Sequence, residues 1–332
     1  MKKVIYFILL TLVLASCGVD SNHFKIEGRF LNLNQGEFYV YSPDGGLDGV
    51  DTIKIEGGRF AYEIPCEKEA TLMLVFPNFS EQPIFAKPGE SVDIKADASH
   101  LKELEATGTK DNELMNDFRK QIASASPPEM VKYAGMFIKD HPESPVSVYL
   151  VRKYFIASTT PDYKQAMTYI DLMMKHQTRN GYLTRMYERV KYMEKAAVGG
   201  RIPSFSGYAT NGQSVSDNTI SGASLAVISV WASWSFESMD MQRQLKDLQH
   251  KSHGRLKVVS ICVDGTKDDC KETMDRDSIS WPNVCDGLML EGPIMKSLGL
   301  FYVPDNIILQ NGRIIARGLG VQQLRTKLES MI

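Results

Sequence analysis

Cysteine is scarce in this chain: there are five in 332 residues, and no two stand in C-x-x-C spacing. That removes the local signatures of a zinc knuckle and of a standard dithiol redox pair, both of which need closely spaced sulfurs. Net charge is also nearly absent, with 38 Lys and Arg against 40 Asp and Glu, and no block of basic residues carries interleaved aromatics. Such a chain has neither the long-range field nor the basic stripe that nucleic acid would require, so nucleic acid is not expected as a partner. Long apolar runs are missing too. The N-terminal run over residues 4–13 is well short of the roughly 20 residues that a membrane-spanning helix needs. Histidines are few. His250 and His253 stand three apart near the end of an expected helix, where basic residues are ordinary partners of the helix dipole. The acidic phrase "DGTKDD" lacks the spaced oxygens and the distal glutamate of a calcium loop. No metal and no cofactor are expected.

What is present begins with export. Met1, Lys2 and Lys3 precede the short apolar run, which ends in "LASC". A charged start, a short apolar stretch and small residues before a processing point are the parts of a signal peptide. The ending resembles the bacterial lipobox, which implies removal of residues 1–16, lipid on Cys17 and a tether over 17–22. The resemblance places the mature protein in the cell envelope, held to a membrane through its lipid. The default is the outer membrane facing the periplasm; exposure on the cell surface stays open. In that oxidising setting Cys66, Cys262, Cys270 and Cys285 could pair in three ways.

Residues 23–105 alternate with period two: Phe24, Ile26 and Phe30; Phe38 and Val40; Ile53 and Ile55; Phe60, Tyr62 and Ile64; Leu72, Leu74 and Phe76; Val92 and Ile94. Gly57-Gly58 and Pro88-Gly89 mark turns, and the pattern predicts a small β-sandwich. "IEGRF", "DTIKIEGGRFAYEI" and "IFAKPGESVDI" make the segment similar to an N-terminal β domain of unknown function found in lipoproteins of the Bacteroidetes. Residues 106–200 change to helical spacing, with Leu114, Phe118 and Ile122 on one face, Val131, Ala134 and Ile138 on another, and Leu183, Met186, Val190 and Met193 on a third. Pro127-Pro128, Pro142, Pro145 and Asn180-Gly181 separate these helices, and Gly199-Gly200 marks the end of a helical connector. Met167, Met173 and Met174 read as adaptable core filler.

Residues 201–332 begin with "RIPSFSGYATNGQSVS", then the apolar run "LAVISVW" expected of a strand buried on both faces, then "ASWSFES" and a helix with Met241, Leu245 and Leu248 on one side. "LKVVSICVD", "ISWPNVCDG", "LGLFYVPDNIIL" and "NGRIIARGLG" follow. In this order the phrases resemble the thioredoxin-like domain of envelope thiol-disulfide oxidoreductases. The whole chain is thus expected to be multidomain: β-sandwich, helical connector and thioredoxin-like α/β fold. By the same resemblance Pro304 takes the place of a cis-proline, and the backbone at Val303 would pair with an extended peptide.

The departures are chemical. The family's two motif cysteines are replaced by Ser235 and Ser238, and Glu237 replaces the motif proline. Ser229 stands where many relatives bury an aspartate. Disulfide exchange needs an acidified thiolate and a second sulfur, and serine supplies neither. Serine as a nucleophile needs a positioned base, and no histidine adjoins the motif or Pro304. What serine does well is cap a helix, and Glu237 suits the positive end of the dipole.

The resulting expectation is a redox-inactive, thioredoxin-like lipoprotein that binds an envelope protein or peptide through Trp234, Phe236, Glu237, Val303 and Pro304, with no catalytic residue. Two alternatives accompany it. One is an oxidoreductase or isomerase using displaced cysteines among Cys262, Cys270 and Cys285. In the other, the function resides in the β domain. Cys262, inside "VVSICV", reads as a buried, inert thiol. Cys270 is expected in the first turn of a helix beside Asp268 and Asp269.

Overall fold

The computed structural model describes residues 19–332. The expected signal peptide and the lipid-bearing Cys17 lie outside the described residues. The chain divides into two compact units, the first ending at Thr184 and the second spanning Arg185–Ile332.

Alternation of inward apolar and outward polar side chains builds the first unit. Its strands are β1 (His23–Leu31), β2 (Gln35–Tyr41), β3 (Val50–Glu56), β4 (Arg59–Pro65), β5 (Ala70–Val75), β6 (Glu81–Ala86), β7 (Ser91–Asp97) and β8 (Glu105–Thr107). They form one hydrogen-bonded ladder in the order β6-β5-β2-β3-β4-β1-β7-β8. β3 and β4 share a single pair, Glu56 with Arg59, beside the Gly57-Gly58 turn, where both glycines have positive φ. The ladder folds over there. Phe38 and Phe76 from one half meet Phe30 and Phe60 from the other at centroid distances of 5.2–5.8 Å. The sandwich is therefore a continuous sheet closed on an aromatic core, each ring pair adding about 1 kcal/mol beyond its buried area.

The helix Lys110–Ile122 corrects one detail of the helical pattern. Phe118 is buried, but Leu114 and Ile122 are only half-buried, because Asn112, Met115, Asn116 and Arg119 occupy the face turned inward. Asn112 accepts from Phe85 N at 3.0 Å and donates to Phe85 O at 2.8 Å on the edge strand β6. Asn116 does the same with Ala106 on the other edge strand, β8, at 3.0 and 2.7 Å. An unpaired edge is a pairing hazard and an energetic cost, and two side-chain amides on one helix satisfy both ends of the ladder. The helices Pro127–Asp140, Pro145–Val151 and Tyr163–His176 follow. Ala134, Ile138 and Met173 are buried as the spacing predicts, while Met167 and Met174 are half-buried.

The second unit begins within the helix Gly181–Lys195. A short hairpin, β9 (Ser206–Tyr208) and β10 (Ser214–Ser216), turns at Gly212, which has positive φ. The main sheet comprises β11 (Leu225–Trp231), β12 (Leu256–Cys262), β13 (Asn283–Val284), β14 (Asp305–Gln310) and β15 (Arg313–Arg317), ordered β13-β12-β11-β14-β15. β11, β12 and β13 run parallel, and β14 and β15 are antiparallel. Every residue of β11 is buried, as its unbroken apolar run requires of a central strand covered on both faces. Ala226, Ile228 and Val230 join one core, with Phe205, Ile220 and Leu298. Val227 and Trp231 join the other, with Leu245, Leu248, Leu324 and Leu328 from the helices Phe236–Lys251 and Val321–Glu329. This is the expected thioredoxin-like fold.

Candidate functional site

The chain leaves β11 at Trp231 and starts a helix five residues later. The turn between them is tied down by Ser233 N, which donates to Asp264 Oδ1 at 2.9 Å. Ser235 caps the helix, its Oγ accepting from Ser238 N at 3.2 Å. Glu237 sits in the first turn, where a carboxylate complements the dipole. The flanking aromatics point outward: Trp234 is 65% and Phe236 83% exposed. Opposite, the Val303–Pro304 bond is cis, and Tyr302 before it is 62% exposed.

Phe236, Glu237 and Asp240 line a groove of about 560 Å³ with Val303, Pro304 and the segment 318–323. Four of the five expected surface residues thus share one depression. Trp234 is exposed but does not line it. Asp240 and the segment 318–323 also line it and carry no local signal in the sequence. The segment lies far along the chain from the helix, and only the β14–β15 hairpin returns it to Pro304.

Beneath the helix the polar groups are neutral. Ser238 is fully buried and its Oγ has no hydrogen-bond partner among the described residues. Ser229, also buried, accepts from Gln242 Nε2 at 2.8 Å. A serine–glutamine pair thus lies beneath the helix. Ser235 Oγ is engaged by a backbone N–H, which polarises it as an acceptor and does nothing to remove its proton. One acid beside Pro304, Asp305, is unusual. Burial pushes its carboxyl up to about 6, against the pull of the Asn306 N–H and of Arg317.

The remaining sulfurs of this unit are not scattered. Cys262 ends β12, and Cys285 follows β13, whose Val284 pairs with Ile261, so the parallel register brings the two thiols alongside. Cys270 is the fourth residue of the helix Lys267–Arg276, which returns across the same face. The three Sγ atoms lie within 4.8 Å of one another, and all three residues are buried. Cys262 is buried as expected, yet it belongs to a cluster rather than standing alone. Irregular spacing hid this, because strand pairing and a helical return bring the sulfurs together.

Asn283 holds the cluster in place. Its Nδ2 donates to Cys270 Sγ at 2.8 Å, while its Oδ1 accepts from Trp231 Nε1 at 2.8 Å and Ser260 Oγ at 2.6 Å. Ser260 Oγ in turn accepts from Trp281 Nε1 at 3.0 Å. Sharing of protons divides the thiols. Cys262 is pushed up because it donates to Cys270 and Cys285 and is buried; the bond from Cys262 pulls Cys270 down, but its own bond toward Cys285 and its burial outweigh that and push it up. Protonated, Cys285 donates toward Thr266 O at 3.5 Å; ionised, it accepts from both neighbours, which lowers its pKa and makes it the most acidic of the three. Cys66, in the first unit, is buried with its Sγ donating to Lys68 O at 3.3 Å. All four described cysteines are free thiols. His250 and His253 are exposed.

A family model described as a domain of unknown function (DUF4369) matches residues 24–115. Among solved structures, a thiol-disulfide oxidoreductase from Bacteroides fragilis is 25% identical with a TM-score of 0.36, covering 40% of this chain and 99% of its own. The thioredoxin domain of a thiol-disulfide oxidoreductase from Bacteroides vulgatus is 20% identical with a TM-score of 0.37, covering 41% and 98%. A thioredoxin-like protein from Bacteroides caccae is 14% identical with a TM-score of 0.47, covering 61% and 78%. No curated protein matches.

Proposed function

We propose that the protein is a redox-inactive, lipid-anchored module of the cell envelope that binds an extended segment of a partner protein or peptide in the groove between the Ser235 helix and Pro304. The observation that carries this reading is the pairing of what is kept with what is gone. The helix cap, the groove against Val303 and Pro304 and an exposed apolar rim are present, while Ser235 and Ser238 stand where exchange chemistry would need thiols. Exposed aromatics around a groove are suited to binding, because they bury large area at low entropic cost. The lipobox-like "LASC" supports anchoring through Cys17, and no helix among the described residues is long and apolar enough to cross a membrane.

A second reading, exchange by displaced cysteines, draws support from the convergence of Cys262, Cys270 and Cys285 and is opposed by their burial. Thiol–disulfide exchange requires an accessible attacking sulfur.

The test takes the mature chain without lipid and follows its thiols by mass spectrometry across dithiol redox buffers, alongside reduction of a disulfide substrate. Inert thiols and no turnover are expected. The same protein is then titrated with fluorescent extended apolar peptides, for which Phe236→Asp should weaken binding about ten-fold or more. A cysteine pair that cycles with turnover would overturn the reading in favour of an enzyme, and unchanged peptide affinity in Phe236→Asp would remove the groove from it.

A further inference from the structure

The cysteine cluster has a chemistry that the groove does not use. We propose that Cys262, Cys270 and Cys285 form a binding site for one soft, thiophilic cation of the Cu(I) kind, held by three sulfurs.

Geometry comes first. The three Sγ atoms converge within 4.8 Å from two adjacent strands and a helix that all belong to the same packed core. An ion bonded to three thiolates at the roughly 2.3 Å usual for zinc–sulfur bonds would set the sulfurs about 4 Å apart. Small side-chain adjustments close that difference, with no backbone change demanded.

The donor set then selects the ion. Among the described residues no histidine or carboxylate joins the three sulfurs. The backbone carbonyls of Asp264 and Thr266 lie 3.8 and 3.5 Å from Cys285 Sγ. Structural zinc sites take four ligands in a tetrahedron, and hard cations take oxygen, so three thiolates with no fourth side chain fit neither. Soft sulfur ligands favour Cu(I).

The surroundings have the features of a built site. Trp231, Met274 and Trp281 are buried in the same core and exclude water. The Asn283 amide donates to Cys270 Sγ and is itself fixed by Trp231 and Ser260, the kind of outer partner that orients a ligand and offsets its charge. Each thiol that ligates as a thiolate releases its proton to solvent, so affinity rises with pH.

The experiment uses the reduced mature chain under anaerobic conditions, titrated with Cu(I) held by a colorimetric chelator of known affinity. One equivalent should leave the chelator, X-ray absorption should show three sulfur neighbours, and the thermal unfolding temperature should rise. Cys262→Ser, Cys270→Ser and Cys285→Ser should each lose about 100-fold in affinity, and Cys66→Ser should lose none. If a variant does not fold, the stoichiometry and sulfur count on the wild-type chain still decide. Retention of all Cu(I) by the chelator, fewer than three sulfur neighbours, or equal binding by the cluster variants and Cys66→Ser would each overturn the proposal.

Discussion

Two helix starts in the second unit lie at the ends of adjacent parallel strands and make opposite choices. After β11, the helix beginning at Phe236 exposes its N-terminus beside Pro304 and carries serines. After β12, the helix Lys267–Arg276 exposes Lys267, Asp268 and Asp269 in its first turn but turns Cys270 inward against Cys262 and Cys285. The position suited to nucleophilic sulfur has none, and the sulfur lies buried, where a protein disulfide substrate does not reach it. A thiol reacts through its thiolate and its access, and each location has only one half of that pair.

The largest expected effect breaks the comparison by returning sulfur to the exposed start. The double variant Ser235→Cys/Ser238→Cys should acquire a reversible disulfide and reduce a disulfide substrate where the wild type does not, measured by mass shift and turnover. Absence of both would mean that the loss extends beyond the two side chains to the geometry around them.

The next prediction attacks the buried side. Asn283→Ala leaves the Trp231 N–H and the Ser260 hydroxyl without their acceptor and Cys270 without its donor. A loss of about 3 kcal/mol is expected, since each buried group left unpaired costs about 1–3 kcal/mol. All three tryptophans lie in the second unit, so urea unfolding followed by their fluorescence reports it directly. A change below about 1 kcal/mol would show that the network is not holding the pocket.

Asp305 sharpens the contrast from the groove side. Its folded carboxyl titrates near 6, above the ordinary value of about 4, so between these values the folded state binds the extra proton and stability falls as pH rises through the window. Above it the protein carries a deficit of about 2–3 kcal/mol. Asp305→Asn should raise stability by roughly that amount at pH 7–8 and flatten the decline between pH 4 and 6, read from unfolding temperature against pH.

The smallest effects separate the two serines. Ser235→Ala removes a cap and should cost about 1 kcal/mol. Ser238→Ala removes a buried hydroxyl that has no partner and should stay within about 0.5 kcal/mol of the wild type or improve on it. Urea unfolding of both variants measures the difference.

Much of this architecture was legible residue by residue. Period two in Phe24, Ile26 and Phe30 becomes the inner face of β1, and the unbroken run of β11 becomes a doubly covered strand, because local alternation is a direct record of which sides are buried. Pro304 and Ser235 could be placed through the thioredoxin resemblance. The Lys110–Ile122 helix was misread in part, since hydrophobic spacing is blind to Asn112 and Asn116, which are buried for the hydrogen bonds of two strand edges.

By itself the sequence determined the order of the elements, the change from alternating to helical to α/β patterning along the chain and the absence of motif thiols, because periodicity, turn residues and side-chain identity are local properties. Only the tertiary structure decided that residues 318–323 complete the groove and that Cys262, Cys270 and Cys285 converge. Both depend on strand register and on where a helix returns, and those are set by packing between segments far apart in the chain.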